Sequence, residues 1–239
     1  MPRARRRRYS GRHRAADEPF GHGEVRAPAS PAAGIPETGS FFRGAAAETA
    51  GRDAEARREY ARELLADPDN IPARLALVRL LERLEEPEEA FQVLEEGVAR
   101  HAEDPELRLA RGRALGQMRR YAEAEADLRR VLRLQPSHGA AHFELGLILV
   151  RRGRATEAAD AFARAVAAGP ESAQTYTELA EALNQSGRLS EAAAALERAV
   201  ALDPALPRAY NLLGRVLDRL ERADEAAVMY RRAREIAGQ

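Results

Sequence analysis

Residues 139–172, GAAHFELGLILVRRGRATEAADAFARAVAAGPES, and residues 173–206, AQTYTELAEALNQSGRLSEAAAALERAVALDPAL, decide the fold. Laid one on the other, Leu145 meets Leu179, Leu149 meets Leu183, Gly153-Arg154 meets Gly187-Arg188, and Pro170 meets Pro204. The 34-residue register runs from Ile71 to the C-terminus without an insertion or deletion. Five Glu-Ala steps mark it: Glu89-Ala90, Glu123-Ala124, Glu157-Ala158, Glu191-Ala192 and Glu225-Ala226. Leu81, Leu115, Leu149, Leu183 and Leu217 recur at the same spacing. A period in this range is the mark of a stacked-repeat architecture, whose units cannot bury an apolar face alone.

Each unit reads as two antiparallel helices. Gly139 to Arg151 carries Leu145, Leu149 and the small Gly146 on one side, and Gly153 stops it. Thr156 is placed to cap a second helix that runs to about Ala168, with Pro170 punctuating its end. Small residues recur at Gly112, Gly146, Ala180 and Gly214, and again at Val131, Ala165, Ala199 and Ala233. They let helix backbones approach, while Leu94, Leu128, Phe162, Leu196 and Tyr230 fill the neighbouring gap. The recurring Glu falls in the first turn of the second helix, where a carboxylate meets the positive helix end.

Outward from the repeats, residues 51–66 predict one helix, with Ala54, Tyr60, Ala61, Leu64 and Leu65 at helical spacing and Pro68 ending it. Ala56, Tyr60 and Pro68 fall in phase, so residues 37–70 read as a partial or decayed repeat. Gly44 is in phase too, but Phe41-Phe42 and the short Ala run predict no firm element. Residues 1–36 hold eight arginines against Asp17, Glu18 and Glu24, a balance of +5 in a chain whose net charge is zero. With Pro28, Pro31, Pro36 and almost no periodic apolar residues, they predict a disordered Arg-rich tail.

Composition narrows the function. Cysteine and lysine are both absent, so disulfides, thiolate sites, Schiff bases and a phosphate-loop lysine are excluded. No Gly-x-Ser-x-Gly, His-Glu-x-x-His or Gly-rich phosphate motif occurs, which argues against an enzyme and implies no cofactor. His138 and His142 stand four apart, but a metal needs further ligands, and packing explains His142. No stretch reaches the roughly 18 apolar residues of a spanning helix. The Arg cluster has no apolar run behind it, so the expected location is cytoplasmic.

The pattern resembles the tetratricopeptide repeat family, a 34-residue helix–turn–helix unit. Tyr176, Leu179-Ala180, Leu183, Ala192, Leu196 and Pro204 match its spacing; so do His142, Leu145-Gly146, Leu149, Ala158, Phe162 and Pro170. Tyr210, Leu213-Gly214, Leu217, Ala226 and Tyr230 follow it, and the first unit, with Val78 and Gly97, is weaker. The resemblance covers residues 71–239 as five repeats: 71–104, 105–138, 139–172, 173–206 and 207–239. It implies an all-α, right-handed superhelical solenoid whose concave face, lined by the first helices, docks a peptide or protein segment. The family's carboxylate clamp of Lys, Asn and Arg is matched in no register, so a chaperone tail is not the expected ligand.

The residues expected to line the groove change character along the array. Arg79, Arg83 and Arg113 make a basic start, Phe143 and Leu147 an apolar patch, and Thr177, Glu178, Glu181 and Asn184 a polar stretch; Asn211, Arg215 and Arg219 close it. The matching ligand is an extended segment with acidic residues near one end and an apolar anchor in the middle. The alternative is a nucleic-acid- or ribosome-associated factor binding through Arg3, Arg5, Arg6, Arg7, Arg8, Arg12 and Arg14. In the last repeat Arg234 replaces the apolar Val98, Leu132, Val166 and Val200, as suits a water-facing end or contact with a second copy.

Overall fold

The computed structural model describes residues 39–238; the Arg-rich tail, with Arg3, Arg5, Arg6, Arg7, Arg8, Arg12 and Arg14, lies outside them. Among the described residues are twelve α-helices and no strand. They pair as α1 (Ser40–Thr49) with α2 (Asp53–Ala66), α3 (Ile71–Arg83) with α4 (Pro87–Arg100), α5 (Pro105–Gln117) with α6 (Tyr121–Leu134), and α7 (Gly139–Arg151) with α8 (Ala155–Ala168). The series ends with α9 (Ala173–Gln185) on α10 (Leu189–Leu202) and α11 (Pro207–Arg219) on α12 (Ala223–Ala237). Each pair packs on the next, so the chain stacks as a solenoid of antiparallel helix pairs.

The helix expected over residues 51–66 is α2; residues 40–49, for which no firm element was predicted, form α1 and close a sixth pair with it. The reason lies at Gly44. A Cβ there would stand 2.6 Å from Tyr60 Cε1, just as one at Gly146 would stand 2.6 Å from Phe162 Cε1 and one at Gly214 2.6 Å from Tyr230 Cε1. Wherever the second helix carries an aromatic ring at this position, the first helix gives it a glycine. Where it carries leucine, the first helix has Val78, Gly112 or Ala180. Complementary volumes at this crossing fill the core at close-packed density. Leu65, grouped with the apolar face of α2 by spacing, instead points to solvent at 84% exposure.

Local chemistry starts and stops the helices. Asn70, Asp104 and His138 cap α3, α5 and α7, accepting from the backbone N–H of Ala73, Leu107 and Ala141 at 3.0, 2.8 and 3.2 Å. The second helices start differently. Thr156 is not a cap; it lies exposed inside α8, which Arg154 precedes. Arg120, Arg154, Arg188 and Arg222 stand just before their helices and fork onto Glu123, Glu157, Glu191 and Glu225 three residues on. The guanidinium hydrogen bonds hold these four carboxyls below the usual range. Between the helices of each pair, one residue takes the left-handed conformation: Gly51, Glu85, Arg119, Gly153, Gly187 and Glu221, with φ from 60° to 83°.

Polar side chains tie successive units where the family pattern has a large residue. Arg74 donates to the carbonyl of Pro68 at 2.8 Å, Arg108 to that of Ala102, and His142 Nε2 lies 2.8 Å from that of Pro136. These three carbonyls are in register, so one device recurs with two chemistries. Arg74 is 2% exposed and also donates to the Val93 carbonyl at 2.9 Å. A Cβ at residue 97 would stand 2.4 Å from Arg74 Cδ, which explains the glycine inside α4.

Candidate interaction groove

The odd-numbered helices also touch one another, α3 with α5, α5 with α7 and α9 with α11, which puts them side by side on the inner side of the curve. The expected groove residues lie on these odd-numbered helices. Their charges are largely paired across repeats. Arg83 donates to Glu48 at 2.8 Å and Asp53 at 2.7 Å; these hydrogen bonds raise its already high pKa. Arg113 Nε donates to Glu144 at 2.8 Å. Arg208 donates to Glu178 at 2.5 Å and lies 3.4 Å from Glu181, which in turn stands 4.0 Å from Arg215. Arg219 donates to the Asn184 carbonyl at 2.7 Å and to its side-chain oxygen.

Of the expected basic start, Arg79 alone is exposed without an ion pair among the described residues. Arg83 and Arg113 bridge repeats and reach a ligand only by leaving a carboxylate. Thr177 is removed from the groove. It is 1% exposed and its hydroxyl donates to the Ala173 carbonyl at 2.7 Å, inside α9. Phe143 and Leu147, one helical turn apart on α7, are half-buried. The Phe143 ring leans edge-on against Phe162 with centroids 5.6 Å apart, so its position is set from below. Asn211 is exposed on α11, beside Tyr230 and Arg234 at the C-terminal end.

Sequence reasoning missed Glu48 and Asp53 as part of this face, because α1 was not expected. The signal was present: Glu48 stands 34 residues before Glu82, in phase with the array. Glu178, expected in the polar stretch, and Glu144 and Arg208, not expected to line the groove, are rungs between helices. His138 and His142 do not converge, since one caps α7 and the other faces the Pro136 carbonyl, and no group of three metal-ligating side chains exists among the described residues. None of the described helices is long and apolar enough to cross a membrane.

The outer side carries a second set of recesses. A cleft of about 430 Å³ opens between α6 and α8 over α7, and another of about 390 Å³ between α8 and α10 over α9. They are the same place one repeat apart: His142, Leu145 and Leu149 floor the first, and Tyr176, Leu179 and Leu183 the second. Over α5 the corresponding floor is polar. There Arg108 and Arg111 meet Asp127 at 2.6 and 2.7 Å, and hydrogen bonding to Asp127 raises the Arg111 pKa.

Comparison with known proteins agrees with this geometry. Four tetratricopeptide repeat models match residues 71–114, 109–173, 149–216 and 207–239. No curated protein matches. Among solved structures, MamA from Desulfovibrio magneticus RS-1 (residues 41 to the end) is similar at 27% identity and a TM-score of 0.64, over 69% of this chain and 93% of that one. PilF of Pseudomonas aeruginosa shares the fold at 20% identity and a TM-score of 0.69, over 80% and 86%. YrrB, described as having an unusual peptide-binding site, shares it at 19% identity and a TM-score of 0.65, over 74% and 91%. With its unbroken period, glycine-to-ring crossings and matched models from residue 71 to residue 239, this chain belongs to the tetratricopeptide repeat family, as a right-handed superhelical solenoid built for protein–protein interaction.

Proposed function

We propose that the chain binds an extended peptide segment of a partner protein along its inner face, with an apolar side chain on Phe143 and Leu147 and a carboxylate toward Arg79. The observation that carries this reading is the inner face itself. Its flanking charges are paired between repeats, which leaves one half-buried apolar pair near the middle and one unpaired guanidinium toward the start. Arg113, on α5 between these anchors, exchanges an internal carboxylate for one of the ligand's. Such exchange costs little net charge separation and rewards correct placement, so it favours specificity over raw affinity. The binding is non-catalytic and needs no cofactor, and the expected setting is the cytoplasm.

A random-peptide display library selected on the full-length chain tests this. The expected consensus holds an aromatic or aliphatic anchor with acidic residues on one side. Phe143→Ala should weaken the selected peptides by about tenfold or more, as loss of a central apolar anchor does. Arg79→Glu should shift the consensus away from acid. Peptides that bind equally to both variants, or only to a chain that carries residues 1–36, would overturn the reading. The second result would favour the basic tail and its nucleic-acid alternative.

A further inference from the structure

We infer that the outer cleft between α6 and α8 is a second, separate docking site, whose occupant is a partner segment presenting one large apolar side chain beside a carboxylate. The cleft's apolar floor follows from local residue type. Ala161 lines it on α8, where Asp127 stands one repeat earlier, and Leu145 and Leu149 form its floor almost wholly shielded by the helices around them. A volume of about 430 Å³ lies within the ~300–1,000 Å³ range of ligand sites and holds one large side chain and part of its backbone.

The rim selects the charge. Its acids are already engaged: Glu157 with Arg154 and, at 3.9 Å, with Arg129, and Asp160 with Arg188 at 3.4 Å. Arg129 is likewise held, by Glu125 at 2.6 Å. Arg133 and Arg164, exposed on opposite walls, make no ion pair among the described residues. The uncommitted charge around an apolar floor is therefore positive from both sides, and a carboxylate next to the inserted side chain complements it. The recess one repeat on has an apolar floor too, but its arginines are spent, Arg188 on Asp160 and Glu191, and Arg198 on Glu171. The recess one repeat back, about 320 Å³, has a polar floor whose arginines are spent on Asp127 and Glu123. Of the three equivalent places, only that over α7 combines an apolar floor with free cations.

The test uses the full chain and two defined probes, acetyl-Asp-Phe-Asp-amide and acetyl-Asn-Phe-Asn-amide, titrated while the Leu and Ala methyl resonances are followed by NMR. The expected result is saturable shifts at Leu145, Leu149 and Ala161 with the acidic probe, and binding weaker by about tenfold with the neutral one, as for loss of charge complementarity worth ~1.4 kcal/mol. Arg133→Glu with Arg164→Glu should abolish the preference for the acidic probe. Both sites are exposed and unpaired, so circular dichroism should remain unchanged. Ala161→Leu, which fills the cleft, should remove the shifts of both probes. Absence of shifts at Leu145 and Leu149, or shifts confined to Leu147 on the inner face, would overturn the inference and leave the inner groove standing alone.

Discussion

At the scale of single residues, the most exacting position is the crossing between the two helices of each pair. Gly146 has Phe162 Cε1 at 2.6 Å from where a Cβ would be, whereas the worst contact at Gly112 is Leu128 Cγ at 3.1 Å. Gly146→Ala should therefore destabilise the chain by about 1–3 kcal/mol through overpacking, despite alanine's better helix propensity. Gly112→Ala should cost less or nothing. Combining Gly146→Ala with Phe162→Leu recreates the Ala180–Leu196 pair of the next repeat and should recover most of the loss in a double-mutant cycle of urea unfolding. Strict additivity of the two changes would sink this account. The small residues were readable from the sequence, and so was the ring that fills each gap. The pairing rule between them was not, because it needs the distance across the crossing.

Elements show where reading by pattern succeeds and where it stops. The bounds of α7 and of the helix pairs from residue 71 follow directly from the period, since Leu, Gly and Pro repeat at fixed offsets. α1 escaped because Ser40 and Arg43 stand where later repeats carry a large residue and leucine, which leaves Ala47 and Gly44 too small to mark an apolar stripe. The ion pairs of the groove escaped for another reason: residues about 30 positions apart meet only once the stacking is known, as Arg113 and Glu144 do. The turns inside each pair hold a left-handed residue in all six cases, three of them not glycine. Left-handed backbone costs an ordinary residue roughly 1–2 kcal/mol. Arg119→Gly, at an exposed position, should then raise stability by about 0.5–1 kcal/mol once glycine's greater unfolded-state entropy is offset. A lowered urea midpoint would show that the Arg119 side chain contributes something the contacts do not reveal.

The whole molecule is a one-dimensional stack in which each pair touches its neighbours, so stability should be close to a sum over repeats and their interfaces. A chain ending at residue 204 loses α11 and α12 and uncovers α10. It should keep the helical signal of the remaining ten helices, with a lower and broader melt by circular dichroism. A collapse of helicity beyond the removed share would mean that the array folds as one indivisible unit. The two ends share an arrangement absent between them. The Tyr60 hydroxyl donates to Glu48 at 2.7 Å, and Tyr230 donates to Asp218 at 2.7 Å in the same register, while Leu94, Leu128, Phe162 and Leu196 occupy that place inside. Both phenols are held above their usual pKa, Tyr60 first by burial and Tyr230 first by its carboxylate.

Each of those tyrosine–acid hydrogen bonds is made within its own helix pair, although Glu48 also accepts from Arg83 of the next unit. Together with a spacing that never slips, this makes the gene of such a chain tolerant of unequal recombination. Loss or duplication of 34 codons between equivalent interior points shortens or lengthens the array by one unit, stays in frame, and leaves both tyrosine–acid hydrogen bonds as they were. Length is thus a heritable variable separate from folding, and a lineage can fit its groove to a longer or shorter partner without redesigning either terminus.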